Sequence, residues 1–240
     1  MNYILPIGVL IVAGLCVILL LRQNKGPITI DSSLPATTDS SRLRYIAMGD
    51  SYTIGEGVKE PERWPNELTK RLNENGIGVE LVGNVARTGW TTQNLIDTGL
   101  PIYKESKADF ATLLIGVNDW VQGIDEDTFR KNFLFLLDQM LTTLPSSKRL
   151  LVVTIPDFGV TPTGKAYGGG RDISEGVSSF NEIVMEESRK KNVTYVDIFE
   201  LSKGMGKDMS LINWDGLHPS SKEYILWTDV IYPSALVQLR

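Results

Sequence analysis

The sequence predicts an α/β fold in which a parallel sheet is covered on both faces by helices. Three observations lead there. Short apolar runs rich in β-branched residues recur along the body, longer segments with a helical period separate them, and the motifs able to carry chemistry fall where the strands would end. The strand candidates are RYIAM (44–48), VELVGN (79–84), FATLLI (110–115), RLLVVTI (149–155) and TYVDIF (194–199). Helical candidates lie around 62–74, 92–106, 126–144, 175–191 and 220–238, with Ser174 and Ser220 as N-cap residues of the last two. No internal repeat interrupts the series. In open sheets of this kind ligands gather beyond the carboxyl ends of the strands, so the residues that follow each strand carry the functional reading.

Ahead of the body, Tyr3 to Leu21 (YILPIGVLIVAGLCVILLL) gives nineteen residues without a charge. That is close to the ~20 a helix needs to span the hydrocarbon of a bilayer. Residues 1–25 are therefore expected to form an N-terminal membrane anchor, a transmembrane helix that holds the membrane through residues 3–21. A cleaved signal peptide is the competing reading, but its apolar stretch is usually ~7–15 residues behind a basic start, and no basic residue precedes Tyr3. Cys16, the one cysteine, lies inside this run with Leu15 before it, which argues for a lipid-facing side chain and against a lipoprotein anchor. Arg22 and Lys25 vote for a cytoplasmic body, whereas the likeness to a signal anchor points to the extracytoplasmic side, the localisation expected here. Residues 26–42 (GPITIDSSLPATTDSSR) have the composition of a flexible linker, and residues 43–240 form the folded domain.

Composition removes several function classes. With 24 basic against 29 acidic residues the formal net charge is −5, so there is no electrostatic footprint for nucleic acid. One histidine and no cysteine in the body leave only scattered carboxylates as metal ligands, so no metal site is expected. At 240 residues and 42% hydrophobic side chains there is material for one sizeable core, and no obligate protein partner is evident.

Four pieces carry chemistry. Gly49-Asp50-Ser51 follows the first strand and puts a hydroxyl at a strand-to-loop turn; taken alone it is an ordinary turn. Asp215-Gly216-Leu217-His218 places a carboxylate three residues from the only histidine in the chain, the two parts that a serine needs before it can act as a nucleophile. Gly116-Val117-Asn118-Asp119 follows the third strand and offers the Asn118 amide as a donor to a developing oxyanion. Gly89, in ARTGWT after the second strand, lets a backbone N–H approach a substrate closely.

Together, in this order and at strand ends, these pieces resemble the SGNH (GDSL-type) hydrolase family, whose blocks read GDS, a glycine after the second strand, GxND and DxxH. The resemblance spans the body from about residue 43 to 240, and GDSYTIGEGV and DGLHPSSKEYILW look most like the lysophospholipase-like or acyl-esterase members. It implies a three-layer α/β/α sandwich with a flavodoxin-like sheet. It further implies a serine esterase or lipase that works on a small-molecule, lipid or glycan ester with no cofactor. Ser51 would be the nucleophile, His218 the general base and Asp215 its orienting acid. The Ser51 and Gly89 N–H groups and the Asn118 side chain would form the oxyanion hole, with Gly83 as a rival to Gly89.

Other readings stay open beside it. Gly159 to Ala166 (GVTPTGKA) nearly matches the phosphate-cradling GxxxxGK[ST] loop, but Ala166 stands where a hydroxyl should hold magnesium and Pro162 removes an N–H. Residues 156–174 read instead either as a mobile loop over the catalytic edge, with Phe158 and Tyr167 shaping the acyl or alcohol pocket, or as a solvated linker without function. An α/β-hydrolase would carry GxSxG rather than GDSYT, and a catalytically inactive binding module would not need every block. Trp64, Trp90, Trp120, Trp214 and Trp227 are expected to pack in the core or at its rim, and Asn192-Val193-Thr194 matches a glycosylation acceptor by chance-level length.

Overall fold

The computed structural model describes residues 42–240, and the expected anchor and linker lie outside the described residues. Among the described residues no helix is long and apolar enough to cross a membrane.

The body opens with β1 (Leu43–Gly49), α1 (Ser51–Ile54), α2 (Trp64–Glu74) and β2 (Val79–Ala86). There follow α3 (Thr92–Asn94), α4 (Leu100–Ser106), β3 (Phe110–Leu114), α5 (Val117–Val121), α6 (Glu126–Leu141) and β4 (Leu150–Val153). The chain closes with α7 (Ile173–Lys190), β5 (Thr194–Val196), α8 (Phe199–Ser202) and α9 (Ser221–Leu239). All four strand pairs are parallel and the order is β2-β1-β3-β4-β5, the flavodoxin-like arrangement the sequence predicted.

Burial follows that order. The inner strands β3 and β4 are buried at every position, whereas the edge strands β2 and β5 are half-buried along much of their length. This is why the inner strands read as unbroken apolar runs. Helices α2 and α9 pack on each other, as do α6 and α7, giving a layer on each side of the sheet. Across α6 and α7 the rings of Phe129 and Phe180 stack at 4.4 Å, and under α2 and α9 Trp64 and Trp227 are sealed from solvent. Burying one such aromatic stabilises the fold by roughly 1.5–3 kcal/mol.

Several expectations are refined. The helix expected at 92–106 is broken into α3, a π-turn (Leu95–Gly99) and α4, because Pro101 has no N–H with which to continue the ladder. Ser220 caps α9 as expected, accepting from the Glu223 N–H at 3.4 Å. Ser174 does not cap α7. Asp172 does, accepting from the Glu175 N–H at 3.0 Å, while the Ser174 hydroxyl donates to Asp157 at 2.7 Å. The nearly phosphate-binding stretch is no cradle feeding a helix; it folds into two 3₁₀ turns, Phe158–Val160 and Gly164–Tyr167.

Candidate active site

The first chemical group stands where the sheet reverses direction. The chain leaves β1 towards β2 on one side and reaches β3 on the other, so the loops after β1 and β3 part over a crevice at the switch point. Gly49 ends β1 in a position no larger residue fits: a Cβ there would lie 2.2 Å from Thr53 Oγ1 and 2.4 Å from the Leu114 carbonyl of β3. Asp50 caps α1 by accepting from the Tyr52 N–H at 3.0 Å, which leaves Ser51 as the first helical residue. An N–H at that place has no acceptor within its own helix. Gly55, with φ at 71°, ends α1 after four residues.

The acid and the imidazole come from one loop between α8 and α9. Ile212 and Pro219 form an antiparallel bridge at its base, the Asn213 N–H donates to the His218 carbonyl at 2.7 Å, and the Gly216 N–H donates to the Asn213 carbonyl at 3.0 Å. Within this turn Asp215 Oδ1 accepts from the Leu217 and His218 N–H groups at 2.8 and 2.9 Å, and Oδ2 lies 2.6 Å from His218 Nδ1. Burial pushes the Asp215 carboxyl up, but the imidazole hydrogen bond, the two N–H groups and the His218 charge outweigh it and hold the group below the usual carboxylate range. With Nδ1 facing a carboxylate, Nδ1 is the donor and Nε2 is left as the acceptor.

Packing brings this loop to Ser51. The ring of Tyr52, the residue after Ser51, sits 5.6 Å from the His218 ring and 6.0 Å from Trp227. The Asn213 side chain donates to the Glu56 carbonyl at 3.1 Å, and a Cβ on Gly57 would collide with it at 1.7 Å. Ser51 and His218 are 5% and 7% exposed, so both are largely covered by the surrounding chain.

The other two blocks, after β2 and β3, meet each other. Asn118 Nδ2 donates to the Trp90 carbonyl at 2.9 Å, which occupies one of its two N–H bonds. Asp119, wholly buried, accepts from the Thr92 N–H at 2.9 Å and from its hydroxyl. Burial pushes Asp119 up to about 6 against those hydrogen bonds. Gly116 has φ at 130°, and a Cβ there would meet Ile155 at 2.7 Å and Phe129 at 2.8 Å. Gly89 has φ at 84° with nothing within 4 Å of a built Cβ, so its backbone turn, and not crowding, calls for glycine. Its rival Gly83 lies inside β2, paired with Ile46 of β1.

The structure thus holds Asp215 and His218 together in one loop, packed against the ring of Tyr52, the residue next to Ser51, with Gly89 and Asn118 in the two loops that the Asn118–Trp90 hydrogen bond joins. It does not place Phe158 at a pocket: the ring is buried and packs edge-on against Trp120 at 5.9 Å. Nor does Trp214 pack; it is 86% exposed, directly before Asp215. Sequence reasoning passed over Asp50 itself. Wholly buried, it is pushed up to about 8 by burial and by the Asp119 charge, against the Tyr52 N–H. An Asp immediately before a short helix was the signal for its cap, hidden by the commonness of Gly-Asp-Ser in turns. Among the described residues no group of three or more His, Cys, Asp or Glu side chains is placed to hold a metal ion.

The pattern of the GDSL-like lipase/acylhydrolase family matches residues 47–224. The chain belongs to that family. A multidomain esterase of Ruminococcus flavefaciens is 26% identical over 209 residues, which cover 84% of this chain and 23% of that protein. The chain therefore spans about a quarter of the length of that curated relative. The fold is shared with a lipase/acylhydrolase from Enterococcus faecalis (TM-score 0.65, 19% identity, 82% of this chain and 97% of that one). An acetylxylan esterase from Geobacillus stearothermophilus shares it too (TM-score 0.61, 18% identity, 83% and 94%). The body is thus a domain of the GDSL-like lipase/acylhydrolase family.

Proposed function

We propose that this chain is a serine esterase that cleaves small acyl esters, acetyl groups on carbohydrate foremost, through an acyl-enzyme on Ser51. The observation that carries the reading is the carboxylate of Asp215, fixed by two backbone N–H groups and aimed at His218 Nδ1 from 2.6 Å. An imidazole held in that tautomer keeps Nε2 free to take a proton.

In the first step Ser51 Oγ attacks the acyl carbon while His218 Nε2 takes the hydroxyl proton. The negative charge that gathers on the carbonyl oxygen faces the Ser51 and Gly89 N–H groups and the second N–H of the Asn118 amide. One such donor lowers the barrier by roughly 3 kcal/mol. The tetrahedral intermediate collapses, His218 hands its proton to the departing alkoxide, and the alcohol leaves. Water then attacks the acyl-serine with His218 again as base, and the acid departs.

For the substrate, the support is the exposed Trp214 directly before Asp215. An exposed indole face suits a sugar ring better than an acyl chain. The named activities of the multidomain esterase and the acetylxylan esterase agree. The apolar segment 3–21 would tether the domain to a membrane, with the body on the extracytoplasmic side, which alkaline extraction and protease accessibility of intact cells would test.

The deciding assay is hydrolysis of p-nitrophenyl acetate, butyrate and octanoate beside the Ser51→Ala protein. Turnover that falls with chain length and is lost with Ser51 is the expected result. A preference for octanoate would move the substrate to lipid, and equal rates for both proteins would end the acyl-enzyme reading.

A further inference from the structure

The stretch GVTPTGKA, which sequence alone set near a phosphate loop, takes part in neither a cradle nor the five residues above, yet the chain from it to Arg171 touches both the Asp215 loop and the Asn118 helix. Thr163 Oγ1 donates to the backbone carbonyl of Asp215 at 2.8 Å, and the Thr163 N–H donates to the Gly216 carbonyl at 3.0 Å. Gly216 turns with φ at 73°, and a Cβ on it would lie 2.6 Å from Thr163 Oγ1, so glycine makes the room for this approach.

At its far end the same segment is fastened to the helix that carries Asn118. The Arg171 guanidinium lies 4.0 Å over the Trp120 ring, with Nη1 donating to the Trp120 carbonyl at 2.8 Å and Nη2 to the Val121 carbonyl at 3.1 Å. Trp120 and Val121 are the last two residues of α5.

On the Thr163 side the segment is bound to itself, and towards Arg171 the Ala166 N–H donates to the Thr163 carbonyl at 3.1 Å and the Arg171 N–H to the Gly168 carbonyl at 2.9 Å, with exposed Gly169 and Gly170 turning at φ 58° and 87° between. The Thr161 hydroxyl donates to the Phe158 carbonyl at 2.7 Å and accepts from the Gly164 N–H at 3.1 Å, and a Cβ on Gly164 would strike the Phe158 carbonyl at 2.0 Å. The base is pinned by Asp157, which accepts from the Gly159 N–H at 3.0 Å and from the Ser174 hydroxyl at 2.7 Å.

We propose that residues 158–171 form a strap that sets the acid–base loop against the Asn118 helix, and that Thr163 is the positioning residue through which it acts on Asp215. This rests on Asp215 and His218 being the catalytic acid–base pair. Thr163 touches no reacting atom. It fixes the backbone from which the Asp215 carboxylate is aimed, while Arg171 fixes the distance from that backbone to the oxyanion donor. Displacements well under 1 Å at such a place are felt in rate, since 1 Å alone can cost about 100-fold.

The test uses the full chain with p-nitrophenyl acetate. Thr163→Val, which keeps the N–H to Gly216 and deletes the hydroxyl donor, is expected to lower kcat about tenfold with KM unchanged, and Thr163→Ser to restore it. Arg171→Leu is expected to lower kcat similarly, and the double variant to fall no further than the worse single one, because both cut the same strap. Fully additive losses, a change confined to KM, or an unchanged kcat in Thr163→Val would overturn the proposal. Should Thr163→Val not fold, full activity in Thr163→Ser together with an unchanged kcat in Arg171→Leu would also overturn it. Ser51→Ala runs alongside: activity equal to that of the unaltered chain would remove the acid–base reading itself, a failure separable from that of the strap.

Discussion

Replacing Asp215 by asparagine tests the acid–base pair without emptying its place. In the native turn Oδ1 accepts two backbone N–H groups, at 2.8 and 2.9 Å, and Oδ2 faces His218 Nδ1 at 2.6 Å. An asparagine amide can satisfy the two N–H groups only by keeping its oxygen on their side. The flipped amide would set its NH₂ against two donors and leave both unpaired, at about 1–3 kcal/mol each. The NH₂ must therefore face Nδ1, which turns Nδ1 into an acceptor and moves the ring proton to Nε2. His218 then cannot take the proton of Ser51. In a triad that tautomer error costs about 10⁴-fold in kcat, or about 5 kcal/mol at 1.36 kcal/mol per decade. Steady-state hydrolysis of p-nitrophenyl acetate reads the loss, and a thermal scan within a few degrees of the unaltered protein shows the turn intact. A loss of less than about tenfold in a protein that melts normally would refute both the tautomer argument and the role of Asp215.

Further outcomes follow from the same coordinates. Gly116→Ala combines a φ of 130° with a Cβ 2.7 Å from Ile155, and is expected to destabilise by on the order of 3 kcal/mol, seen as a lower denaturant midpoint. Gly89→Ala meets open space, so its stability cost is expected at about 1 kcal/mol from the left-handed turn alone, while kcat drops because the N–H is re-aimed. Asp50 and Asp119, pushed up by burial to about 8 and about 6, hold protons that the unfolded chain releases near pH 4, so stability declines as pH rises through that window. Asp50→Asn is accordingly expected to gain melting temperature relative to the unaltered chain from pH 4 to 8; a difference independent of pH would contradict it. Trp214→Ala is expected to leave p-nitrophenyl acetate turnover intact and to raise KM for an acetylated xylo-oligosaccharide about three- to tenfold, the equivalent of roughly 0.5–1.5 kcal/mol of aromatic contact.

The sheet was legible because its inner strands are buried on both faces: FATLL and LLVV are apolar at nearly every position, and helical periods fill the gaps. The ends were not. The last strand reads to Phe199 in sequence but stops at Val196, because Asp197 Oδ1 accepts from the Phe199 N–H at 2.9 Å and from Thr154 at 2.8 Å, turning the chain into α8. The choice of Asp172 over Ser174 as a cap likewise depends on Asp157, seventeen residues back, which claims the Ser174 hydroxyl. In the site, the pairing of Asp215 with His218 was legible because they lie in one short motif, and the place of Ser51 because it follows a strand. Thr163 and Arg171 were not, because their partners are backbone carbonyls 52 and 51 residues away, and a carbonyl leaves no mark on sequence. The burial of Phe158 under Trp120 was hidden because the contact joins rings from two elements far apart in the sequence.

The loop from Leu211 to Ser220 is tied at its neck by the Ser220 N–H to the Leu211 carbonyl at 2.8 Å, and inside it the acid and the imidazole are neighbours. Their mutual alignment is thus set within ten residues and braced from outside by Thr163 at the Asp215 and Gly216 carbonyls, whereas the alignment of either with Ser51 is a property of the whole sheet. Warming or a distant core substitution would loosen the second long before the first. The chain would then lose turnover with Asp215 and His218 still paired, and a graft of those ten residues would carry the pair along only together with a hydroxyl in the place of Thr163.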